Sequence, residues 1–174
     1  MKVPFATFDR MHAEVRQEMA DAFARVYDTG WFIQGRECEA FEQEFAAYNG
    51  AKHAIGVATG LDAIRLALEA LGIGPGDEVI IPSNTFIATA LAVSAVGASV
   101  ILVDPDPVTC NMCGTGLEEA VTPRTRAVIP VHLYGQSAQM DEIMAFANRH
   151  KLFVVEDCAQ AHGATFQGQK VGTF

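Results

Sequence analysis

From Val79 to Val103 the chain carries no charged side chain. An uncharged stretch of that length belongs either in a bilayer or inside a folded domain. Its punctuation decides between the two. Pro82-Ser83-Asn84-Thr85 and Gly97 divide it into strand, turn, helix and strand. Each piece falls far short of the roughly 20 apolar residues that a transmembrane helix needs. The segment is therefore read as a buried α/β unit. Met1-Lys2-Val3-Pro4 runs into Asp9 and Arg10 without the apolar core of a signal peptide. The expectation is a soluble, cytoplasmic protein with no membrane partner.

The rest of the chain extends this pattern. Met11, Val15, Met19, Phe23 and Val26 recur three or four apart, predicting an amphipathic helix that ends at Asp28-Thr29-Gly30. Trp31-Phe32-Ile33-Gln34-Gly35 forms an aromatic loop, and Phe41 with Phe45 marks a second helix ending near Tyr48-Asn49-Gly50. From His53 onward strands and helices alternate. Strands are predicted at Ala54–Val57, Glu78–Ile81, Ser99–Val103, Ala127–Val131 and Leu152–Glu156. Helices are predicted at Asp62–Leu71, Phe86–Val96, Leu117–Val121 and Met140–Arg149. Short, continuous, β-branched strands of this kind are expected to be buried on both faces of a mostly parallel sheet. Gly163 to Phe174 reads as a turn or hairpin, with no closing helix over the last strand, so the domain is expected to be incomplete at its C-terminus.

Charge narrows the function. With 12 Lys and Arg against 21 Asp and Glu, the net charge is −9, the wrong sign for a nucleic-acid partner. An anionic ligand must be held by a local device such as a helix N-terminus. The 4 cysteines are irregularly spaced, which is no disulfide framework and points to a reducing compartment. Cys110-Asn111-Met112-Cys113 has the C-x-x-C spacing without a second ligand pair, so no metal site is expected. Neither a Gly-x-Gly-x-x-Gly nor a Walker A sequence is present.

In open parallel sheets ligands bind beyond the carboxyl ends of the strands, and three segments fall there. Ala58-Thr59-Gly60-Leu61-Asp62-Ala63 opens a helix. Gly60 lets the backbone approach a ligand, the first helical N–H groups suit a phosphate, and Thr59 can add a hydroxyl. A plain strand-to-helix turn, with Asp62 favoured by the helix dipole, explains it equally simply. Pro82-Ser83-Asn84-Thr85-Phe86 places an aromatic ring at a helix start, either to stack on a planar ligand or to fill the core. In Val154-Val155-Glu156-Asp157-Cys158-Ala159-Gln160 an apolar strand delivers Asp157 at its end, with Gln160 three residues on. That carboxylate can serve a metal, a ribose or a protonated ring nitrogen, or can simply cap the sheet edge. His132 follows a strand and either lines the cleft or is a hydrogen-bonded structural histidine. His12 and His150 read as solvated. A ligand with a phosphate, an aromatic ring and a basic ring nitrogen would use all three segments, and pyridoxal 5′-phosphate (PLP) has those parts.

The motifs in order are Thr29-Gly30-Trp31-Phe32-Ile33-Gln34-Gly35, Thr59-Gly60-Leu61-Asp62-Ala63, Gly74-Pro75-Gly76-Asp77-Glu78-Val79-Ile80, Asn84-Thr85-Phe86-Ile87-Ala88-Thr89, Pro130-Val131-His132-Leu133-Tyr134-Gly135-Gln136 and Glu156-Asp157-Cys158-Ala159-Gln160-Ala161-His162-Gly163. As a set they resemble the DegT/DnrJ/EryC1/StrS family of PLP-dependent sugar aminotransferases across essentially the whole chain. The resemblance implies the large domain of PLP-dependent transferase fold type I, the aspartate-aminotransferase-like class. That is an α/β domain with a mostly parallel sheet flanked by helices. Residues 1–50 would supply the N-terminal helices and aromatic loop, and 51–174 the cofactor-binding domain. By the same resemblance Thr59, Gly60 and Leu61 hold the cofactor phosphate, Phe86 stacks on the pyridine ring and Gln160 contacts the ring hydroxyl. Asp157 pairs with the ring nitrogen. Trp31, Phe32 and Tyr134 belong to the sugar-nucleotide pocket.

Two departures from the family pattern matter. Many members have Thr where this chain has Leu61, and Leu is similar to the version in some members that aminate 3-keto sugars. The family's Schiff-base lysine follows a Gly-Asp and a Phe-Ser-Phe stretch that does not occur before Phe174. The lysines present are Lys2, Lys52, Lys151 and Lys170, and Lys170 sits in a Gly-Gln-Lys turn that reads as surface. The resemblance thus implies the N-terminal portion of a homodimeric enzyme that passes an amino group from glutamate to a nucleotide-linked keto sugar. The 174-residue chain alone is expected to be inactive. Two other classes stay open: a non-catalytic PLP-fold regulatory or binding protein, and a PLP-dependent sugar dehydratase relative with His in place of the lysine.

Overall fold

The computed structural model describes residues 3–4 and 7–174. Met1 and Lys2, read above for a leader, lie outside the described residues. The chain divides into two compact units, 1–45 and 46–174. The first contains α1 (Asp9–Thr29) and most of α2 (Arg36–Asn49). Gly30 ends α1 in the left-handed conformation, its N–H donating to the Tyr27 carbonyl, as the Asp-Thr-Gly signal predicts. The apolar stripe of α1 is not buried, however: Met11, Met19 and Phe23 stay exposed. A unit this small cannot enclose such a stripe.

In the second unit, α3 (Gly60–Ala70), β1 (Glu78–Pro82), α4 (Ile87–Ala95), β2 (Ser99–Val103), α5 (Leu117–Ala120), β3 (Thr125–Val128), α6 (Met140–His150) and β4 (Phe153–Val154) follow in order. The strands form one sheet in the order β2-β1-β3-β4, parallel throughout. Alternation along the central strand builds both layers. Val79 and Ile81 pack with Ile64, Leu68, Ala92 and Val93 of α3 and α4. Ile80, between them, packs with Met140, Ile143 and Phe146 of α6 and Leu117 of α5. Every residue of β1 is buried, which explains why its sequence is a run of apolar residues rather than an alternation.

Two expectations fail in part. The stretch Ala54–Val57 forms no strand, and Ile55 is left exposed. A strand needs a ladder partner, and four residues containing Gly56 have too little propensity to stand without one. Burial on both faces holds for β1 but not for β2, whose Leu102 is 60% exposed, because β2 is the edge of this sheet. The β4 ladder is shorter than predicted, but a single parallel bridge from Val131 to Asp157 continues it.

The C-terminal hairpin is present as β5 (Thr165–Phe166) and β6 (Gln169–Lys170), paired antiparallel. Gln167 and Gly168 between them both have positive φ, 50° and 87°, the two-residue turn whose twist matches the strands. Lys170 is tied to Tyr48: its ammonium donates to the Tyr48 carbonyl and lies 3.5 Å from that ring's centroid. Gly163, at φ +80°, leaves room that a Cβ would take at 2.3 Å from the Tyr48 hydroxyl.

Glu78, buried at the start of β1, ties the loop between α5 and β3 to the sheet. It accepts hydrogen bonds from the Thr122 hydroxyl and from Arg124, whose Nε lies at 2.8 Å. The Thr122 and Arg124 hydrogen bonds hold its carboxyl below the usual value, against the opposing effect of burial. A depressed native pKa stabilises the fold above the unfolded value, ~4.3 for glutamate. That contribution is lost as pH falls through the native pKa. Urea denaturation should therefore show Glu78→Gln less stable than wild type at pH 7, with the gap closing as the pH is taken down through the acid range.

Candidate functional site

Strand order locates the crevice. From β1 the chain crosses to β2 on one side and then to β3 on the other, so the order reverses between β1 and β3. Ligands of open α/β sheets bind at the carboxyl end of such a switch point. The loops leaving β1 and β3 there carry Phe86 and the His132–Tyr134 segment.

Asp157 stands beside this point. Its backbone N–H donates to the Pro130 carbonyl at 2.9 Å, and its carbonyl accepts from His132 N–H at 3.0 Å. Its carboxylate receives the Ala159 N–H on Oδ1 at 3.1 Å and the Thr89 hydroxyl on Oδ2 at 3.3 Å. Thr89 is buried in α4 and shares a 2.9 Å hydrogen bond with Thr85. Phe86, the N-cap of α4, is three residues before Thr89 and so lies on the same helix face. Its ring is 72% exposed, which removes the core-aromatic alternative and leaves a flat apolar face for a ligand.

Gln160 is oriented by Tyr134. The Tyr134 N–H donates to Gln160 Oε1 at 3.1 Å. A backbone donor leaves no ambiguity about which end of the amide faces it, so the Gln160 NH₂ is the end left for a ligand. Tyr134 itself is held left-handed, at φ 62° and ψ 27°, in a single 3₁₀ turn. Buried Asn111 clamps that turn: its Oδ1 accepts from Leu133 N–H at 2.8 Å and its Nδ2 donates to the Gln136 carbonyl at 3.3 Å. A non-glycine residue in this conformation costs on the order of 1–3 kcal/mol, and such residues concentrate at functional sites.

At the start of α3, Gly60 and Leu61 hold the first two helical positions, whose N–H groups have no intrahelical acceptor. Nothing lies within 4 Å of where a Gly60 Cβ would be, so the approach to them is open. The Thr59 hydroxyl is already engaged: it accepts from Asp62 N–H at 3.1 Å and donates to Asp62 Oδ2 at 3.0 Å. It acts as the N-cap of α3, a role not foreseen in the sequence. Leu61 packs against the apolar cluster that also contains Val131 and Leu133. Trp31 and Phe32 lie in the first unit, exposed, with Trp31 Nε1 donating to the Ile33 carbonyl at 2.7 Å.

The structure thus brings Phe86, Asp157, Tyr134 and Gln160 to one end of the sheet. Thr89 and Asn111 were not foreseen as part of this arrangement. The signal for Thr89 was a hydroxyl within the uncharged, mostly apolar helix α4. His132 proves structural: it is fully buried, between Glu156 and the Ala138 N–H. His150 is not simply solvated, since it pairs with Glu118 at 2.9 Å. A cavity of about 490 Å³ lies elsewhere, between β2 and α5, and its lining offers Asp104, Asp106 and Glu119 without a basic residue. That electrostatic character suits no phosphate.

The donor set fits PLP. Backbone N–H groups at a helix start suit its phosphate, and an exposed aromatic face suits its ring. The Gln160 amide NH₂ suits its phenolic oxygen. The Asp157 carboxylate, held by the Thr89 hydroxyl and the Ala159 N–H, retains acceptor capacity for a protonated ring nitrogen. No helix among the described residues is long and apolar enough to cross a membrane.

The chain is 52% identical over 171 residues to a dTDP-3-amino-3,4,6-trideoxy-alpha-D-glucose transaminase of Streptomyces venezuelae, covering 98% of this chain and 45% of that protein. It is 50% identical to the erythromycin biosynthesis sensory transduction protein EryC1 of Saccharopolyspora erythraea, covering 99% of this chain and 47% of that one. Its structure superposes on S. venezuelae DesV in complex with a ketimine intermediate with a TM-score of 0.95 at 51% identity, over 98% of this chain and 46% of that chain. The chain therefore spans about half the length of the relatives it matches. Residues 13–174 match the DegT/DnrJ/EryC1/StrS aminotransferase family, and the chain belongs to it.

Proposed function

We propose that this chain is the N-terminal portion of a PLP-dependent aminotransferase that converts a nucleotide-linked keto sugar to an amino sugar, with glutamate as amino donor. The observation that carries the reading is the Asp157 carboxylate at the end of β4, held by Thr89 and Ala159. Thr89 in turn lies one helical turn from an exposed Phe86. The transaminase name of a relative 52% identical to the chain supports the substrate class. A 3-keto sugar, the class that Leu61 points to, is the first to test.

Each residue has a defined task. Gly60 and Leu61 offer N–H groups to the phosphate, with the positive end of the α3 dipole behind them. Phe86 covers one face of the ring. The Gln160 NH₂ donates to the ring oxygen. Asp157 keeps the ring nitrogen protonated, since a carboxylate beside it favours the charged form. PLP supplies the electron-withdrawing ring on which amino transfer depends. Tyr134, Trp31 and Phe32 are assigned to the sugar-nucleotide. The lysine of the family lies beyond Phe174 in this reading, so the 174-residue chain alone has no transaminase activity. A homodimer in the cytoplasm is the expected working form.

A regulatory reading rests on one specific observation: a relative 50% identical carries the name of a sensory transduction protein. Activity separates the two. The full-length protein, supplied with PLP, glutamate and a dTDP-linked 3-keto sugar, should release 2-oxoglutarate and the amino sugar. PLP bound without turnover would favour a regulator, and loss of water from the sugar a dehydratase.

Variants test the assigned roles. Asp157→Asn in the full-length protein should lower the rate of amino transfer on the order of a hundredfold or more, the scale of losing a charge that stabilises the transition state. Phe86→Ala should weaken PLP about tenfold, the equivalent of ~1.4 kcal/mol, measured by titrating cofactor into the apoprotein.

A further inference from the structure

Two acids stand next to each other at the end of β4, and strand geometry sends them to opposite faces. Val155 packs on the α3/α4 side of the sheet and Val154 on the α6 side. The alternation continues: Asp157 meets Thr89 of α4, while Glu156 meets His132. A slip of one residue would exchange them and present Glu156 or Cys158 to the crevice. Only two β4 residues are in ladder pairing, so the ladder by itself fixes this register weakly.

The other face supplies the missing constraint. His132 Nε2 lies 3.0 Å from Glu156 Oε2, and His132 Nδ1 accepts the Ala138 N–H at 3.0 Å. Because Nδ1 is an acceptor, the ring proton is on Nε2 and is donated to the carboxylate. Glu156 also accepts N–H groups from Gly172 at 2.7 Å and Phe174 at 2.8 Å. Both oxygens are thereby occupied, and the pair is almost fully shielded from water. Burial pushes the Glu156 carboxyl up, but the hydrogen bonds from His132, Gly172 and Phe174 outweigh it and leave the group below its usual range.

His132, Glu156 and Cys158 also bring ligand atoms within 4.8 Å of one another, which raises a metal site. The ring nitrogens and carboxylate oxygens already have protein partners. Burial, with the charges of Glu156 and Asp157, pushes the Cys158 thiol up to about 12, so it offers no thiolate. The cluster is a hydrogen-bond network.

We infer that the His132–Glu156 pair is a register lock: it positions the end of β4 so that Asp157, and not its neighbours, faces the crevice at the switch point. Both are positioning residues, acting through the strand. The inference rests on the reading of Asp157 as the partner of the cofactor's ring nitrogen, and its test separates the two.

The test uses the full-length protein, with amide hydrogen exchange and PLP titration of the apoprotein. Glu156→Ala should speed exchange at the His132 and Asp157 amides about tenfold or more, the scale of a lost charge-assisted hydrogen bond. Exchange in β1 should not change. PLP should bind about tenfold more weakly to this variant. Asp157→Asn should weaken PLP while leaving those amides protected. If Glu156→Ala leaves exchange at both amides unchanged, or loosens them without weakening PLP while Asp157→Asn does weaken it, the lock is overturned. If Asp157→Asn leaves PLP binding intact while Glu156→Ala still loosens the amides, the ring-nitrogen reading fails and the structural lock stands. Nitrogen NMR of histidine-labelled wild type gives a check that needs no variant to fold. His132 should show its proton on Nε2 and a bare Nδ1, and a proton on Nδ1 would overturn the inference.

Discussion

The site depends on one parallel contact, the bridge between Val131 and Asp157 beyond the last regular pairing of β3 with β4. Its two backbone hydrogen bonds, Asp157 N–H to Pro130 and His132 N–H to Asp157, fix where the strand ends and which way its last residues face. From that bridge Asp157 reaches Thr89 on one side of the sheet, and His132 reaches Glu156 on the other. Gln160, three residues on, takes the Tyr134 N–H and closes the same end. A bridge of this kind contributes little energy by itself, since an individual hydrogen bond nets about 1 kcal/mol. Its importance is geometric, because period-two alternation converts a one-residue error into a complete exchange of side chains.

Electrostatics explains why the proposed phosphate site would be built from backbone. The chain carries a net charge of −9, so long-range attraction works against a phosphate. Asp62 sits within the first turn of α3 and improves the helix while adding further negative charge nearby. Arg65, 3.5 Å from Asp62 and 2.6 Å from Glu69, offsets part of it. What remains for an anion is the pair of N–H groups at Gly60 and Leu61, which act at contact range where direction matters more than net charge.

Much of this was legible in the sequence because it follows from local rules. The uncharged run from Val79 to Val103 could be buried only as strand, turn and helix, and β1, α4 and β2 appear there. The Gly30 helix stop is a chemical signal with a single common geometry, and the hairpin after Gly163 was also legible, although its turn falls at Gln167-Gly168 and Gln169–Lys170, read as part of the turn, form β6. The strand-end position of Asp157 follows from an apolar run stopping at two acids. Non-local relationships were not legible. Ala54–Val57 looks like a strand, but no periodicity reveals whether a partner exists. His132 and Glu156 are far apart in sequence, and only the register of β3 on β4 places them together. Thr89 and Asn111 matter for what they touch across the fold, Asp157 and the Tyr134 turn, and a hydroxyl or amide among apolar residues does not name its partner.

The central claim is that Asp157 holds a positive charge on the ring nitrogen of a bound pyridine cofactor. Nitrogen NMR of the full-length protein loaded with PLP labelled at that nitrogen reads it directly. The account predicts the signal of a protonated pyridinium that persists above the pH at which free PLP loses that proton. The signal of an unprotonated ring at neutral pH would contradict it.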